Sequence, residues 1–381
     1  MKDSIRRVIL AAVLIMIVVV IFQLQKSNAP IPHGVPSEEG NTLTKPALEK
    51  VLEGVSYPKA PEFAGIATWI NSEPLTLEEL KGKVVLVDFW TYSCINCIRT
   101  LPYLKEWWRK YQDNGFVLVG VHTPEFEFEK DTENVKKAMA KYGLAYPVAQ
   151  DNNYGTWNAY QNRWWPRKFL IDKDSYIRYD HIGEGGYEET EAKIVELLNE
   201  MGQQVVLEKT TVEEMEESQD PLIVRGYQTP ELYAGYQFAR LPPGNQEGFQ
   251  PEQTVEYKLP STALRDDVIY LDGRWKNKWD NLQYAGEGKG KVVLKFSAQS
   301  LNIVISPTGA HEVDVMLDGA YLTIENAGSD VLFDAYGRSY LSVEEAQLYN
   351  VIGGKNPYGT YTITFETDSI DFSFNSFTFG S

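Results

Sequence analysis

Cys94 and Cys97 are the only cysteines in a chain of 381 residues, and only Ile95 and Asn96 separate them. The apolar run Val84-Val85-Leu86-Val87-Asp88-Phe89-Trp90 leads into the pair and reads as a buried strand, and a helical pattern follows over Arg99–Gln112. A cysteine pair at a strand-to-helix junction is the layout of a dithiol/disulfide redox site. Both sulfurs reach bonding distance within one turn, and the first faces a helix N-terminus, whose dipole favours a thiolate. A purely stapling disulfide is the weaker alternative, because so short a loop constrains the unfolded chain little. Half a zinc site is the other. It needs about four ligands, and none of His33, His122, His181 and His311 stands at ligand spacing from the pair. No metal or other cofactor is expected.

Lys2, Arg6 and Arg7 precede an uncharged apolar run from Val8 to Phe22, and Lys26 follows it. As a helix the run spans ~22 Å, between the length of a signal-peptide core and the ~30 Å of a bilayer interior. Pro30 disfavours cleavage after Ser27-Asn28-Ala29, so a retained signal anchor is preferred to a cleaved signal. The basic residues before it keep the N-terminus inside and send the rest outward. The expectation is a single-pass protein of the cytoplasmic membrane with an extracytoplasmic catalytic domain. The net charge of −17 argues against a nucleic-acid partner, since phosphates would be repelled.

The predicted organisation is an anchor over 1–26, a Pro/Gly-bearing tether over 27–55 and an α/β redox domain over 56–203. An acidic linker over 204–225, with Glu213, Glu214, Glu216 and Glu217, precedes an all-β sandwich over 226–381. In the redox domain, strands at Val84–Phe89, Phe116–His122, Lys168–Ile171 and Ile177–His181 alternate with helices at Thr132–Tyr142 and Thr190–Met201. In the last domain the spacing predicts strands at Lys291–Phe296, Leu301–Ser306, Tyr361–Phe365 and Asp371–Phe379. A hairpin is predicted about Asp318-Gly319.

Asp88 sits inside the apolar strand. A buried carboxyl holds its proton tightly, which makes it a candidate base, through water, for Cys97. Trp90, Tyr92 and Trp165 are candidate walls of a substrate groove, while His122 and Glu125 stand where they could tune the site. Trp275 and Trp279, with Tyr270 and Tyr284, are aromatics able to stack on sugar rings, and equally suited to core packing.

The run Val84–Cys97 resembles thioredoxin. The longer pattern is similar to the extracytoplasmic part of the DipZ family of thiol:disulfide interchange proteins, of the TlpA/DipZ type. It rests on Trp90-Thr91-Tyr92-Ser93-Cys94-Ile95-Asn96-Cys97-Ile98-Arg99, His122-Thr123-Pro124-Glu125-Phe126 and Tyr160-Gln161-Asn162-Arg163-Trp164-Trp165-Pro166. Thr229–Tyr236, Gly273-Arg274-Trp275, Leu317-Asp318-Gly319 and Phe377–Gly380 extend it through the second domain. The resemblance implies a thioredoxin fold followed by a carbohydrate-binding-module-like β-sandwich. It makes Cys94 the nucleophile and Cys97 the resolving thiol of a redox disulfide, Asp88 the buried acid and Pro166 a cis proline forming a substrate ledge.

Two departures stand out. The family carries a multi-helix membrane domain, whereas this chain shows one apolar run, so the expected electron donor is a separate membrane protein of the CcdA/DsbD type. Thioredoxin also places a lysine near the buried aspartate from its second strand, and Phe116–Val121 has none. The activity implied is protein-disulfide reduction on disulfide-containing clients. Alternatives are a disulfide-donating oxidase or isomerase, a thiol peroxidase, or a surface carbohydrate- or protein-binding module with an accessory redox site.

Overall fold

The computed structural model describes residues 49–52, 55–207, 227–353 and 356–380. The apolar run Val8–Phe22 and most of the acidic linker lie outside the described residues. Among the described residues no helix is long and apolar enough to cross a membrane. Within the stretch expected to be a tether, β1 (Glu49–Leu52) and β2 (Val55–Pro58) pair as an antiparallel hairpin.

The next elements are β3 (Thr68–Ile70), β4 (Val84–Trp90), α1 (Ile95–Tyr111), β5 (Phe116–His122), α2 (Thr132–Tyr142), β6 (Val148–Gln150), α3 (Gly155–Ala159), β7 (Arg167–Ile171), β8 (Ile177–Ile182) and α4 (Tyr187–Glu200). The sheet order is β3-β6-β5-β4-β7-β8. The β4–β5 and β5–β6 pairs are parallel, and the outer pairs β3–β6, β4–β7 and β7–β8 are antiparallel. All seven residues of β4 are buried, as a central strand covered on both faces requires. Val84, Leu86 and Trp90 pack under α1, α2 and α4, while Val85, Val87 and Phe89 face the layer that holds Leu77, Trp157 and Tyr160.

The second domain departs from two separate sheets. Thirteen described strands form one continuous sheet that nearly closes around a single core. The joint is the strand Ile269–Asn277. Its first half pairs with Gly290–Ala298, and its second half with Thr254–Tyr257 and Leu282–Tyr284. Gly273, with φ +87°, stands between the two halves, where a side chain would be strained. Phe365 meets Phe377 at 5.6 Å and Phe296 meets Phe379 at 5.5 Å, joining the two halves of the sheet across the core. The Asp318-Gly319 turn forms as expected: both residues have positive φ, and Leu317 pairs with Ala320.

The two domains share a compact unit. Phe126, Val304 and Leu348 are buried together, with Ile95, Ile98, Phe128 and Tyr233 packed against them. The second domain therefore lies against the residues that flank the cysteines. Lys137–Glu345 at 2.9 Å and Lys141–Gln347 at 2.8 Å add polar contacts.

Gly120 of β5 pairs with Asp88 of β4. A Cβ there would lie 3.0 Å from Trp90 Nε1 and 3.1 Å from Tyr146 Cε2, both on fully buried rings. Gly120→Ala should therefore overpack the space beside Asp88 and lower stability by about 1–3 kcal/mol. Urea denaturation checks this; unchanged stability would mean that the two rings have room to move.

Candidate functional site

Cys94 caps α1 with extended backbone (φ −81°, ψ 115°) and is half-buried, whereas Cys97, one turn into the helix, is buried. Both are free thiols. The helix begins four residues earlier than its sequence pattern suggested, because Ile98 N–H already donates to the Cys94 carbonyl at 3.0 Å. Burial pushes the Cys97 thiol well above its usual range, and the neighbouring Cys94 pushes it the same way. Cys97 therefore needs a base before it can attack.

Behind the cysteines lies a buried carboxyl–amine pair. Asp88 and Lys168 are register partners across β4 and β7, and on an antiparallel pair such partners share a face. Both side chains are buried. Burial raises Asp88 to about 7, with Lys168 opposing. Burial also lowers Lys168, with Asp88 and then Cys97 opposing. Each group is driven toward its neutral form by desolvation and held back by the other's charge. Asp88 is thus poised to exchange a proton near neutral pH. Its Oδ1 has no hydrogen-bond partner among the described residues.

Lys168 is the residue that sequence reasoning missed. The thioredoxin pattern places the lysine on the second strand; here the amine comes instead from the strand after the proline. A signal was present: in Arg167-Lys168-Phe169-Leu170-Ile171 the lysine alternates with Leu170, which places it on the α1 face. A lysine there must be buried.

The Trp165-Pro166 bond is cis. The Trp165 carbonyl lies 4.0 Å from Cys94 Sγ, and the indole Nε1–H donates to the Thr123 carbonyl at 3.0 Å. Trp165 is half-buried beside the pair. Trp90 and Tyr92 are not groove walls. Both are buried, because they enclose His122: Trp90 meets its ring edge-on at 5.2 Å and Tyr92 stacks on it at 5.6 Å. Burial pushes His122 down to about 3, so it stays neutral and acts as packing. Glu125 belongs to the domain contact, where it accepts the Tyr233 hydroxyl at 2.5 Å. Trp164, next to Trp165 in the chain, and Ile182, the register partner of Arg167, are exposed.

The proposed sugar-stacking aromatics also divide. Trp275 is buried in the β core, edge-on to Tyr284 and Phe372, and its Nε1–H is used by the Asp272 carbonyl. Tyr270 and Tyr284 are buried as well. Trp275 and Tyr284 take inward-facing strand positions, whereas Tyr270 lies on the opposite face, covered together with Val268, Val293 and Leu264; burial removes all three from any stacking platform. Trp279 remains partly exposed, against Phe238.

A mixed sheet with a dithiol heading its first long helix, a cis proline facing it and a buried acid behind it defines a thioredoxin-fold dithiol protein. Residues 58–198 match the Redoxin family, and residues 229–380 match the thioredoxin like C-terminal domain family. The thiol-disulfide oxidoreductase YkuV of Bacillus subtilis (strain 168) is 32% identical over 141 residues, 37% of this chain and 94% of YkuV. The thiol-disulfide oxidoreductase ResA of Bacillus thuringiensis (strain Al Hakam) is 32% identical over 35% of this chain and 73% of its own length. Protein DipZ of Mycobacterium tuberculosis (strain CDC 1551 / Oshkosh) is 36% identical over 272 residues, which is 71% of this chain but 38% of DipZ. The chain belongs to the thiol-disulfide oxidoreductase family, and is DipZ-like in carrying the second domain.

Because Asp88 binds its proton more tightly folded than unfolded, the reduced protein should lose stability as pH rises from about 4 to about 7, by up to about 4 kcal/mol. Asp88→Asn should abolish that slope and be the more stable protein at pH 8. Lys168→Met removes the positive charge that favours the carboxylate, so the fall should continue above pH 7. Urea denaturation at a series of pH values reads all three; identical profiles would refute the coupling.

Proposed function

We propose that this protein is a membrane-tethered, extracytoplasmic reductase of protein disulfides. The observation that carries the reading is the asymmetry of the pair: Cys94 is accessible beside the Trp165 carbonyl, while Cys97 is buried on the side of Asp88 and Lys168. Cys94, as thiolate, attacks a client disulfide. The client S–S bond breaks, one client sulfur leaves as thiolate, and a mixed disulfide forms. Asp88 takes the Cys97 proton, directly or through water. The Cys97 thiolate then attacks Cys94 Sγ, the second client sulfur leaves, and the Cys94–Cys97 disulfide closes. Two electrons have passed to the client.

The extended client lies along the cis-proline loop, with Pro166 as the ledge and Trp165 as the wall, because the second domain covers the Ile95–Ile98 flank. Re-reduction needs an outside dithiol, since the chain has no third cysteine. A membrane carrier of the CcdA/DsbD type fits the family resemblance. The apolar run Val8–Phe22 is the proposed membrane anchor.

Cys94→Ser should abolish reduction of insulin disulfides with a dithiol supply, and undiminished turnover would overturn the mechanism. Cys97→Ser should trap mixed disulfides with clients, identifiable by mass spectrometry. The reduction potential fixes the direction. A value near the ~−120 mV of a strong oxidant would make the protein a disulfide donor instead.

A further inference from the structure

Glu129 has no role in the exchange chemistry, yet it is wholly buried. It lies in the run Glu125-Phe126-Glu127-Phe128-Glu129-Lys130, where glutamate and phenylalanine alternate as far as Glu129. Desolvating a carboxyl is costly unless its oxygens are satisfied, and here both are. The Ser93 hydroxyl donates to Oε1 at 2.5 Å; Glu125 N–H and Phe126 N–H donate to Oε2 at 2.5 and 2.9 Å. Ser93, itself buried, is the residue immediately before Cys94. The turn at Glu125–Phe126 is where the second domain holds the redox domain: Glu125 accepts the Tyr233 hydroxyl, and the Phe126 ring lies 6.1 Å from that of Tyr233. One carboxyl therefore ties the backbone that aims Cys94 to the turn that carries the domain contact.

We infer that Glu129 is a positioning residue for the dithiol, fixing Ser93 so that Cys94 Sγ stays at the head of α1 and beside the Trp165 carbonyl. Glu129 touches neither sulfur in this role; it acts through Ser93. Burial raises its proton affinity while the Ser93 and Thr91 hydroxyls and the two backbone N–H groups oppose, as for an acceptor already committed to its donors. The inference rests on the reading of Cys94 as the attacking thiol. It adds that the second domain steadies the site through Glu125–Phe126.

The test is the rate of Cys94 alkylation by iodoacetamide at fixed pH, in a Cys97→Ser background, together with the reduction potential of the two-cysteine protein. Ser93→Ala and Glu129→Ala should each slow alkylation about tenfold, since small displacements of a reacting group cost rates of that order or more. Each should also move the potential. The double variant should be no slower than either single, because both cut the same link. Glu129→Gln should recover to within about twofold of the parent: its amide oxygen can accept the two backbone N–H groups and its NH2 can donate to Ser93 Oγ. If Glu129→Ala does not fold, Ser93→Ala decides.

A purely structural Glu129 would lower the melting temperature of folded Glu129→Ala while leaving alkylation rate and potential unchanged. That result, or additive effects in the double variant, would overturn the inference. Alkylation needs no client. Failure of the wild type to reduce insulin would thus sink the proposed function alone, and an unchanged alkylation rate would sink only the positioning role.

Discussion

The burial of Asp88 opposite Lys168 is the constraint on which this site depends. Neither charge is comfortable in the centre of a covered sheet, and each is tolerable only because the other is there. The pair forms because β4 is central, with β5 on one side and β7 on the other. β7 brings the lysine, and the residue before it in the chain is joined to the cis proline that presents the Trp165 carbonyl to Cys94. β5 contributes Gly120, whose missing side chain lets the Trp90 and Tyr146 rings close over the same place. Acid, amine, cis proline and aromatic lid thus follow from the neighbours of one strand.

The second domain belongs to the geometry of the site and is more than an appendage. It packs on Ile95, Ile98 and Phe126, and so closes one flank of the cysteine pair. Trp165 stays half-buried and Trp164 exposed. The second domain's own core consumes Trp275 and Tyr284, and Tyr270 is buried on the other face of its strand beside Val268 and Val293. In a β domain with inward and outward positions in strict alternation, identity alone does not say which face an aromatic takes; register does.

Much of the redox domain was legible because its signals are local. A strand buried on both faces must be continuously apolar, and Val84–Trp90 is; Phe116–His122 and Thr132–Tyr142 fall where periodicity places them. The Asp318-Gly319 hairpin was legible for the same reason, since only certain residues accept two successive positive φ values. Beyond these, the sheet that nearly closes was read as a plain sandwich, because nothing local announces that Ile269–Asn277 pairs first with one half and then with the other. Trp90 and Tyr92 were placed in the groove because proximity in sequence to the cysteines says nothing of which way a side chain points.

The sequence by itself determined that this chain carries a dithiol at a strand-to-helix junction, with an acid buried in the strand and a proline before a later one. These are properties of spacing, and spacing is written in the chain. Only the tertiary structure decided which amine faces Asp88, that Glu129 is inside and bonded to Ser93, and that a second domain shuts one flank of Cys94. Lys168 is 80 residues from Asp88 and Glu129 is 36 from Ser93. At such separations a charged side chain reads as solvated until folding removes the water and leaves it only the partners the fold supplies.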